Sequence, residues 1–297
     1  MPSADDVKRI CEQAYSEIED KKNTQIAFFG GSFTAIDRKY MTELLDTVSG
    51  FIGEGAFSGI RISTRPDFID DEVLSLLREK GVTSIELGAQ SMDNDVLSAN
   101  ERGHTAEDTI KASELIKAYG FELGLQIIPG LYKSSESIEK KTYESVLSIH
   151  PDTVRIYPIV VLEGTKLAEL LKSGEYKLMP FDKMTELCAK MLKGYEANGI
   201  KVIKCGLHAS DGVSGEKAGG YYHPAFREIC EGLIYREVID KKLSGRKGKF
   251  EIAVNSSAIS KAIGHKKANT EYFRQKGIEI KVTGGIGIPP YECEIKG

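Results

Sequence analysis

Short apolar segments alternate with amphipathic helical segments along this chain, and this alternation restricts the fold more than any other feature of the sequence. The apolar segments are Gln25–Phe29, Gly59–Ser63, Ser84–Leu87, Leu123–Ile128, Thr153–Tyr157 and Ile200–Lys204. Stretches between them, such as Arg38–Ile52 and Thr105–Tyr119, carry apolar residues at helical spacing. Alternating strands and helices predict parallel βαβ units. Such repeats close most easily into part of a (β/α) barrel, whose chemistry lies at the carboxyl ends of its strands.

Both ends of the chain depart from this alternation. Residues 4–22 predict an amphipathic helix, whereas a βα barrel normally starts on a strand. Residues 241–297 hold 12 Lys and Arg against 5 Asp and Glu, a net charge of +7, whereas the rest of the chain has a net charge of −11. We therefore expect a barrel over residues 1–210, a connecting helical region over 211–240 and a basic unit over 241–297.

Composition excludes several classes of protein. A chain of 297 residues with 41% hydrophobic and 28% charged residues is typical of a globular protein. It has no apolar run near the roughly 18 residues that a membrane span needs, and its polar, acidic N-terminus is unlike a signal peptide. The five cysteines, at positions 11, 188, 205, 230 and 293, are widely spaced and form no C-x-x-C pair. We expect them to be buried free thiols in a reducing cytosol, with no metal site among them.

Polar residues occur within or just after otherwise apolar strands. They are Arg65, Glu86, Gln90, Gln126 and Arg155. Buried polar groups are costly without partners, so their convergence at one barrel end indicates a polar ligand pocket. The glycine pair 30–31 after the first strand would expose backbone groups to a ligand of amino-acid or nucleotide type. The alternative is that glycine and proline at the strand ends only turn the chain into the next helix.

The segments IAFFGGSFT, GIRISTRPD, SIELGAQSMD, RGHTAEDT, LGLQIIPG and TVRIYP, in this order, resemble the radical SAM family. Within that family they are most similar to the catalytic subunit of the Elongator complex and its short bacterial relatives, over roughly residues 1–230. The resemblance implies a partial (β/α)6 TIM-like barrel, here lacking its first strand. It also implies S-adenosylmethionine as ligand, a [4Fe–4S] cluster as cofactor, and tRNA as the RNA that is modified. Because no segment of acetyltransferase length is present, the substrate nucleoside stays open.

The resemblance further implies which residues hold S-adenosylmethionine. By position in the motifs, the amino group lies on the backbone of Gly30, Gly31, Ser32 and Phe33, and the next strand contributes Ser63 and Arg65. The ribose and the carboxylate lie near Glu86 and Gln90, and the adenine lies beside Gln126 and Ile128. Arg155 and Tyr157 stand at the end of the sixth strand.

One departure from the family concerns the cluster. Radical SAM enzymes carry a C-x-x-x-C-x-x-C loop after the first strand, whose three thiolates bind the cluster. This sequence has no such loop, and Cys11 on the predicted first helix cannot replace three ligands. The chain is therefore either a fragment of a longer enzyme or a pseudoenzyme that has lost the cluster. In both cases we expect this chain alone to bind no cluster and to generate no radical.

The basic C-terminal segment predicts a KH-like unit. Residues 249–254 predict a strand, 256–263 a helix, 264–267 a loop, 268–275 a second helix and 278–282 a second strand. In KH domains a G-x-x-G loop between the helices clamps the nucleic-acid backbone. Lys267 stands here in place of the second glycine. The basic residues expected to contact RNA are Arg246, Lys247, Lys261, Lys266 and Lys267. The alternative is a small α/β unit with a solvated basic face.

Three functions are consistent with these patterns: a radical SAM domain acting on RNA, a module that binds RNA or S-adenosylmethionine without turnover, and an unrelated barrel enzyme. The third would need a Schiff-base lysine or a phosphate loop at a strand end, and Lys204 is the only lysine near such an end. His223 and Arg227 are a further candidate pair over the barrel mouth, although His223-Pro224 is also a pattern that opens a helix.

Overall fold

The structure, a computed structural model, describes residues 1–207 and 216–296. It divides into two compact units, the first made of residues 1–127 and 133–155 and the second of residues 128–132 and 156–297. Over these described ranges no helix combines the length and the apolarity that a bilayer span requires.

The first unit alternates helices and strands as predicted. Its elements are α1 (Ala4–Glu17), β1 (Ile26–Phe28), α2 (Arg38–Ser49), β2 (Ile60–Thr64), α3 (Asp71–Glu79), β3 (Val82–Gln90), α4 (Asn94–Ala99), α5 (Ala106–Ala118), β4 (Glu122–Ile127), α6 (Glu136–Ile149) and β5 (Thr153–Ile156). The pairs β1–β2, β2–β3 and β3–β4 are all parallel. Helical crossovers between parallel strands are the βαβ units expected from the sequence.

Local hydrogen bonds begin the helices at the predicted residues. Thr105 accepts from the Asp108 N–H at 3.1 Å, and the Asp108 carboxylate accepts from the Thr105 N–H at 2.8 Å. This reciprocal capping box satisfies amide groups at the start of α5 that have no partner within the helix. Ser3 and Asp6 form the same motif at the start of α1. The amphipathic N-terminal helix predicted over residues 4–22 ends at Glu17, followed by a 3₁₀ turn at Lys21–Asn23.

The central strands of this unit have one apolar and one polar face. Ile60 and Ile62 of β2 are fully buried, and Arg61 and Ser63 alternate with them. Because side chains alternate across a strand, the isoleucines face the packed helices and the polar residues share the opposite face. This polar face carries most of the candidate site.

The second unit holds the remaining elements. They are β6 (Val160–Leu162), α7 (Lys166–Ser173), α8 (Phe181–Ala197), β7 (Lys201–Cys205), β8 (Lys217–Gly220), α9 (Phe226–Leu243), β9 (Gly248–Asn255), α10 (Ile259–Ile263), α11 (Ala268–Gln275), β10 (Ile278–Gly285) and β11 (Cys293–Lys296). The six-stranded sheet has the strand order β1-β2-β3-β4-β5-β7, and β6 pairs with β8 in a separate antiparallel ribbon.

The C-terminal segment contains the predicted strand, helix, loop, helix and strand. β9 pairs in parallel with β10 and antiparallel with β11, a third strand that the sequence did not predict. Its core contains Tyr235 and Ile239 of α9, Ile252 of β9 and Phe273 of α11. The domain boundaries at residues 210 and 240 stay a prediction. The first of them falls within residues 208–215, which lie outside the described residues.

Candidate functional site

A network of polar side chains fills the amino-terminal level of the polar face. Arg61 donates from Nη2 to Glu122 Oε1 at 2.7 Å, and Ser84 donates to Glu122 Oε2 at 2.6 Å. Gln25 bonds to both Arg61 and Ser84. The registers of β2 with β3 and of β3 with β4 align Arg61, Ser84 and Glu122 in one row. The sequence analysis did not predict this row, because it selected polar residues at the carboxyl ends of the strands. Polar residues at alternate positions earlier in the strands would have indicated a polar face.

One level nearer the carboxyl ends, Glu86 pairs with Arg155. Arg155 Nε donates to Glu86 Oε2 at 2.6 Å, and its guanidinium lies 5.1 Å from the centre of the Phe29 ring. Glu86 is only 1% exposed, and its other oxygen, Oε1, has no hydrogen-bond partner in the described chain. A buried carboxylate oxygen without a partner is costly, and a ligand hydroxyl or amine would satisfy it.

Gly124 makes room for this pair. A Cβ at Gly124 would lie 2.9 Å from Thr153 Oγ1 and 3.3 Å from Glu86 Cγ. Gly124 is also the register partner of Glu86. Gln126 follows two residues later and therefore shares the face of Gly124. The site thus depends on a glycine that the sequence analysis did not single out.

Gln90 ends β3 in an unusual conformation. Its φ is 64°, in the left-handed region, and the register between β3 and β4 shifts between Leu87 and Gln90. The side chain is buried, and its Oε1 has no partner among residues 1–207 and 216–296. A non-glycine residue in this region costs on the order of 1–3 kcal/mol, and such strain clusters at functional sites. Glu86 and Gln90 therefore present two buried acceptors from one strand.

Arg65 connects two of the sequence motifs. It donates to both carboxylate oxygens of Asp67, at 2.9 and 2.6 Å, and to the Gly103 carbonyl at 3.0 Å. The bond to Asp67 raises the pKa of the Arg65 guanidinium. His104 is buried, with Nε2 3.2 Å from the Ala89 carbonyl. Arg65 and His104 thus anchor the loop after α4 to the ends of β2 and β3, and His104 has the contacts of a structural histidine.

Burial lowers the pKa of Arg102, and the nearby Arg65 charge lowers it further. The Nε of Arg102 is buried and has no hydrogen-bond partner in the part of the chain that the structure describes.

The glycine pair after β1 leaves open space. Gly30 has a φ of 108°, and a Cβ on Gly30 or Gly31 would meet no atom within 4 Å. Phe33 is buried and stacks on Phe28 with ring centres 4.7 Å apart. The glycines therefore offer free backbone to a ligand, while Phe33 packs in the core of the unit.

The predicted ligand-binding residues divide between the two units. Those in the first unit are Gly30, Gly31, Ser32, Phe33, Ser63, Arg65, Glu86, Gln90, Gln126 and Arg155. Ile128 and Tyr157 belong to the second unit. Register aligns Ser63 with Glu86, and a hydrogen bond joins Glu86 to Arg155. The unpartnered oxygens and the open glycine backbone fit the hydroxyl, amine and carboxylate groups of S-adenosylmethionine.

The described residues do not fit an iron–sulfur cluster. They contain no group of three or more His, Cys, Asp or Glu side chains that could hold a metal ion. Cys11 is buried on α1, and burial raises the pKa of its thiol. A raised pKa disfavours the thiolate that binds metals.

Comparison with known families identifies the chain. The profile of the radical SAM superfamily matches residues 2–145, and that of the radical SAM C-terminal domain matches residues 151–236. The chain belongs to the radical SAM superfamily. The resemblance stated from the sequence motifs is thereby confirmed. At the level of the superfamily, S-adenosylmethionine and a [4Fe–4S] cluster are the expected cofactors.

Curated relatives of this radical SAM chain include tRNA uridine(34) acetyltransferases and Elongator complex protein 3. It is 34% identical over 173 residues to a tRNA uridine(34) acetyltransferase of Methanocaldococcus jannaschii, covering 52% of this chain and 32% of that protein. It is 32% identical over 184 residues to human Elongator complex protein 3, covering 55% of this chain and 34% of that protein. The chain thus spans about a third of the length of these relatives.

A solved structure confirms the fold class. An archaeal Elp3 from Methanocaldococcus infernus with an N-terminal deletion superposes with a TM-score of 0.64 at 24% identity, over 87% of this chain and 63% of that one. The alternating strands and helices predicted part of a (β/α) barrel, and the family resemblance implied the partial TIM-like barrel of the radical SAM superfamily. This partial barrel is the fold of the chain.

Proposed function

We propose that this chain binds S-adenosylmethionine on the polar face of its first unit and belongs to an enzyme that modifies tRNA. The observation that carries the proposal is the pair of buried oxygens, Glu86 Oε1 and Gln90 Oε1, that have no partner within the described residues. Each is an acceptor whose burial cost a ligand donor would offset. In this superfamily, bound S-adenosylmethionine undergoes reductive cleavage of a sulfur–carbon bond beside the cluster.

The predicted residues of the first unit then have roles in binding. The backbone of Gly30 and Gly31 receives the amino group, because no atom within 4 Å would contact a Cβ there. Glu86 accepts from a ribose hydroxyl through Oε1, and Arg155 holds this carboxylate in place. Ser63, Gln90 and Arg65 line the same strand ends, with Ser32 beside the glycines. Gln126, which shares the face of Gly124, contacts the adenine. The assignments of Ile128 to the adenine and of Tyr157 to the end of the sixth strand stay predictions.

Calorimetric titration of S-adenosylmethionine into the purified chain tests this site. In Glu86→Gln, the bond from Arg155 can be kept while one acceptor becomes an NH₂ donor, so we expect the affinity to fall at least about tenfold, roughly 1.4 kcal/mol. Glu139→Gln is the matched control, because Glu139 is another buried glutamate of the same unit that bonds to Ser134. Unchanged affinity in Glu86→Gln, or no binding by the unmodified chain, contradicts the proposed site.

RNA binding by the C-terminal segment is the second part of the proposal. Lys266 and Lys267 are exposed, and neither forms an ion pair within the described chain. Their φ angles of 51° and 63° are both left-handed, so the loop presents two adjacent charges in a conformation that glycine favours. Arg246 and Lys247 also form no ion pair with a described residue, whereas Lys261 lies 2.9 Å from Glu231. Uncompensated lysines suit phosphate contacts.

Fluorescence anisotropy of labelled tRNA at several salt concentrations tests this part. Each phosphate contact contributes about −0.7 to −0.9 to the slope of log K against log salt. We expect Lys266→Gln/Lys267→Gln to make that slope less steep by about 1.5. Lys281→Gln/Lys296→Gln removes the same charge from lysines that pair with Glu251 and should leave the slope unchanged. Equal slopes in both double variants would remove the support for RNA binding at this loop.

A binding module without turnover is the alternative function. It is favoured by the lack of a ligand set for a cluster in the described residues. Anaerobic reconstitution with iron and sulfide distinguishes the two, because stoichiometric iron and sulfide in this chain would contradict the module. The cytosolic location also stays a prediction.

A further inference from the structure

The second unit contains a cavity of about 560 Å³ at the carboxyl end of β7. It is lined by residues 203–207, by residues 223–228 and Glu231 at the start of α9, and by Ser260 and Lys261 of α10. Gly206 turns the chain at its edge with a φ of 88°, and a Cβ there would lie 2.6 Å from Phe226 Cβ. Cavities of 300–1,000 Å³ are typical of small-molecule sites.

A buried carboxylate fixes two cations in the wall of this cavity. Glu231, 3% exposed, accepts from Arg227 Nε at 3.0 Å and lies 2.9 Å from Lys261 Nζ. Arg227 also donates to the Val202 carbonyl at 2.7 Å and to Glu196 at 3.1 Å. Both cationic side chains remain partly exposed. They are therefore held in position while their remaining N–H groups stay accessible.

His223 adds a planar donor. Its Nδ1 accepts from the Ala225 N–H at 3.0 Å, so the neutral ring carries its proton on Nε2. Burial lowers the pKa of His223, as do the charges of His265 and Lys266, while Glu228 acts in the opposite direction. The ring is therefore neutral at pH 7 and can both stack on a base and donate to it.

The cavity adjoins the basic loop. The His223 ring centre lies 5.2 Å from that of His265, in an edge-to-face contact, and Lys266 and Lys267 directly follow His265. A planar group bound in the cavity would contact the imidazole of His223. An anionic group attached to it would lie near Lys266 and Lys267, which follow His265 in the sequence. A planar heterocycle joined to a phosphate is a nucleotide.

We infer that this cavity binds one nucleotide, with its base among His223, Arg227 and Ser260 and its phosphate at Lys266 and Lys267. Assigning that nucleotide to an RNA strand rests on the proposed function. A free nucleotide has the same chemistry, so the experiment includes both sources. The segment around His223 and Arg227, singled out in the sequence, thereby acquires a role within the second unit.

The test uses the full chain and two probes. Uridine and adenosine 5′-monophosphates are titrated by calorimetry, with uridine and inorganic phosphate as partial ligands, and a labelled single-stranded RNA is followed by anisotropy. We expect the monophosphates to bind at least about tenfold more tightly than either partial ligand, since base and phosphate contacts add.

Two variants address the cavity. His223→Asn removes the ring but keeps an oxygen that can accept from Ala225, and Ser260→Trp fills the cavity from an exposed helix position. Each should weaken monophosphate and RNA binding at least about tenfold, roughly 1.4 kcal/mol. Ser173→Trp, at an exposed helix position of the same unit away from the cavity, should leave both unchanged. All variants must show the unfolding midpoint of the unmodified chain.

The outcomes separate this inference from the proposed function. If His223→Asn and Ser260→Trp bind both probes normally while the Lys266/Lys267 variant loses RNA, the cavity inference is overturned and the RNA proposal stands. If the unmodified chain binds the monophosphates but not RNA, and both cavity variants weaken that binding, the cavity site is supported. In that case the bound nucleotide does not belong to an RNA strand. If neither probe binds the unmodified chain, both proposals fail.

Discussion

Arg155 donates from Nε to Glu86 Oε2 at 2.6 Å, and this ion pair joins β5 to β3 on the polar face of the first unit. Glu86 is almost completely buried, whereas the Arg155 side chain keeps some exposure. The pair leaves Glu86 Oε1 without a partner among the described atoms. It therefore combines a structural contact with an acceptor that is available to a ligand.

Removing the carboxylate should destabilise the fold. Glu86→Ala leaves the Arg155 charge without its buried partner, so we expect the free energy of unfolding to fall by about 3–5 kcal/mol in urea titrations. The double variant Glu86→Leu/Arg155→Met should regain much of this loss, because well-packed apolar pairs often replace buried ion pairs. A loss below about 1 kcal/mol in Glu86→Ala would show that the pair contributes no more to stability than a solvent-exposed salt bridge.

Substituting Gly124 should perturb the site by steric contact. Gly124→Ala brings a Cβ to 2.9 Å from Thr153 Oγ1 and 3.3 Å from Glu86 Cγ, so we expect a loss of about 1–3 kcal/mol. Gly31→Ala is the control for stability, because its Cβ meets nothing within 4 Å and its φ lies outside the left-handed region. Its unfolding free energy should change by less than about 0.5 kcal/mol. Its affinity for S-adenosylmethionine should nevertheless fall if the ligand fills that space.

Arg65→Lys should loosen the loop after α4. Lysine cannot reproduce the two bonds to Asp67 together with the bond to the Gly103 carbonyl. Amide hydrogen exchange at residues 102–105 should accelerate about tenfold, which corresponds to roughly 1.4 kcal/mol. Arg78→Lys, where the guanidinium lies over the Tyr119 ring, is the control and should leave these amides unchanged. Equal exchange in both variants would mean that Arg65 does not hold the loop.

Glycine at position 267 should stabilise the protein. Lys267 has a left-handed φ of 63°, a conformation that costs a side-chain-bearing residue roughly 1–2 kcal/mol. After allowance for the greater backbone freedom of glycine in the unfolded chain, Lys267→Gly should raise the unfolding free energy by about 0.5–1 kcal/mol. Lys281→Gly, in the interior of β10, should lower it. Urea titrations of both variants should therefore give changes in the unfolding free energy of opposite sign. A loss of stability in Lys267→Gly would contradict the left-handed conformation of Lys267.

Buried thiols should make the protein less stable at alkaline pH. Burial raises the pKa of Cys11 and Cys293, and a hydrogen bond with Cys205 followed by burial raises the pKa of Cys230. Because the folded pKa lies above the unfolded value of 9.0, the unfolded state loses these protons first, and stability falls as pH rises above that value.

Urea titrations at increasing pH measure this alkaline loss of stability. Cys11→Ala/Cys293→Ala should show a smaller fall between pH 8 and 10 than the unmodified chain. Iodoacetamide should also react slowly with the native chain and rapidly in urea. Rapid alkylation of all five cysteines under native conditions would contradict their burial.

Much of the local structure was predictable from the sequence. The capping box of Thr105 and Asp108 needs only residues three apart, and α11 spans the predicted residues 268–275. Elements that were missed are short or have weak patterns. β8 is the glycine-containing segment Lys217–Gly220, and α4 has only six residues. Such segments have too few apolar positions to establish a period, so tertiary contacts decide their conformation.

By itself the sequence determined the order of strands and helices, the helix starts and the set of motifs that places the chain in the radical SAM superfamily. These features depend on hydrogen bonds and side-chain spacing within a few residues. Only the tertiary structure decided that Arg155 pairs with Glu86 across 69 residues, and that Lys261 of α10 pairs with Glu231 of α9 at the cavity. Such partners are chosen by strand register and helix packing, which bring distant positions together and which no local pattern encodes.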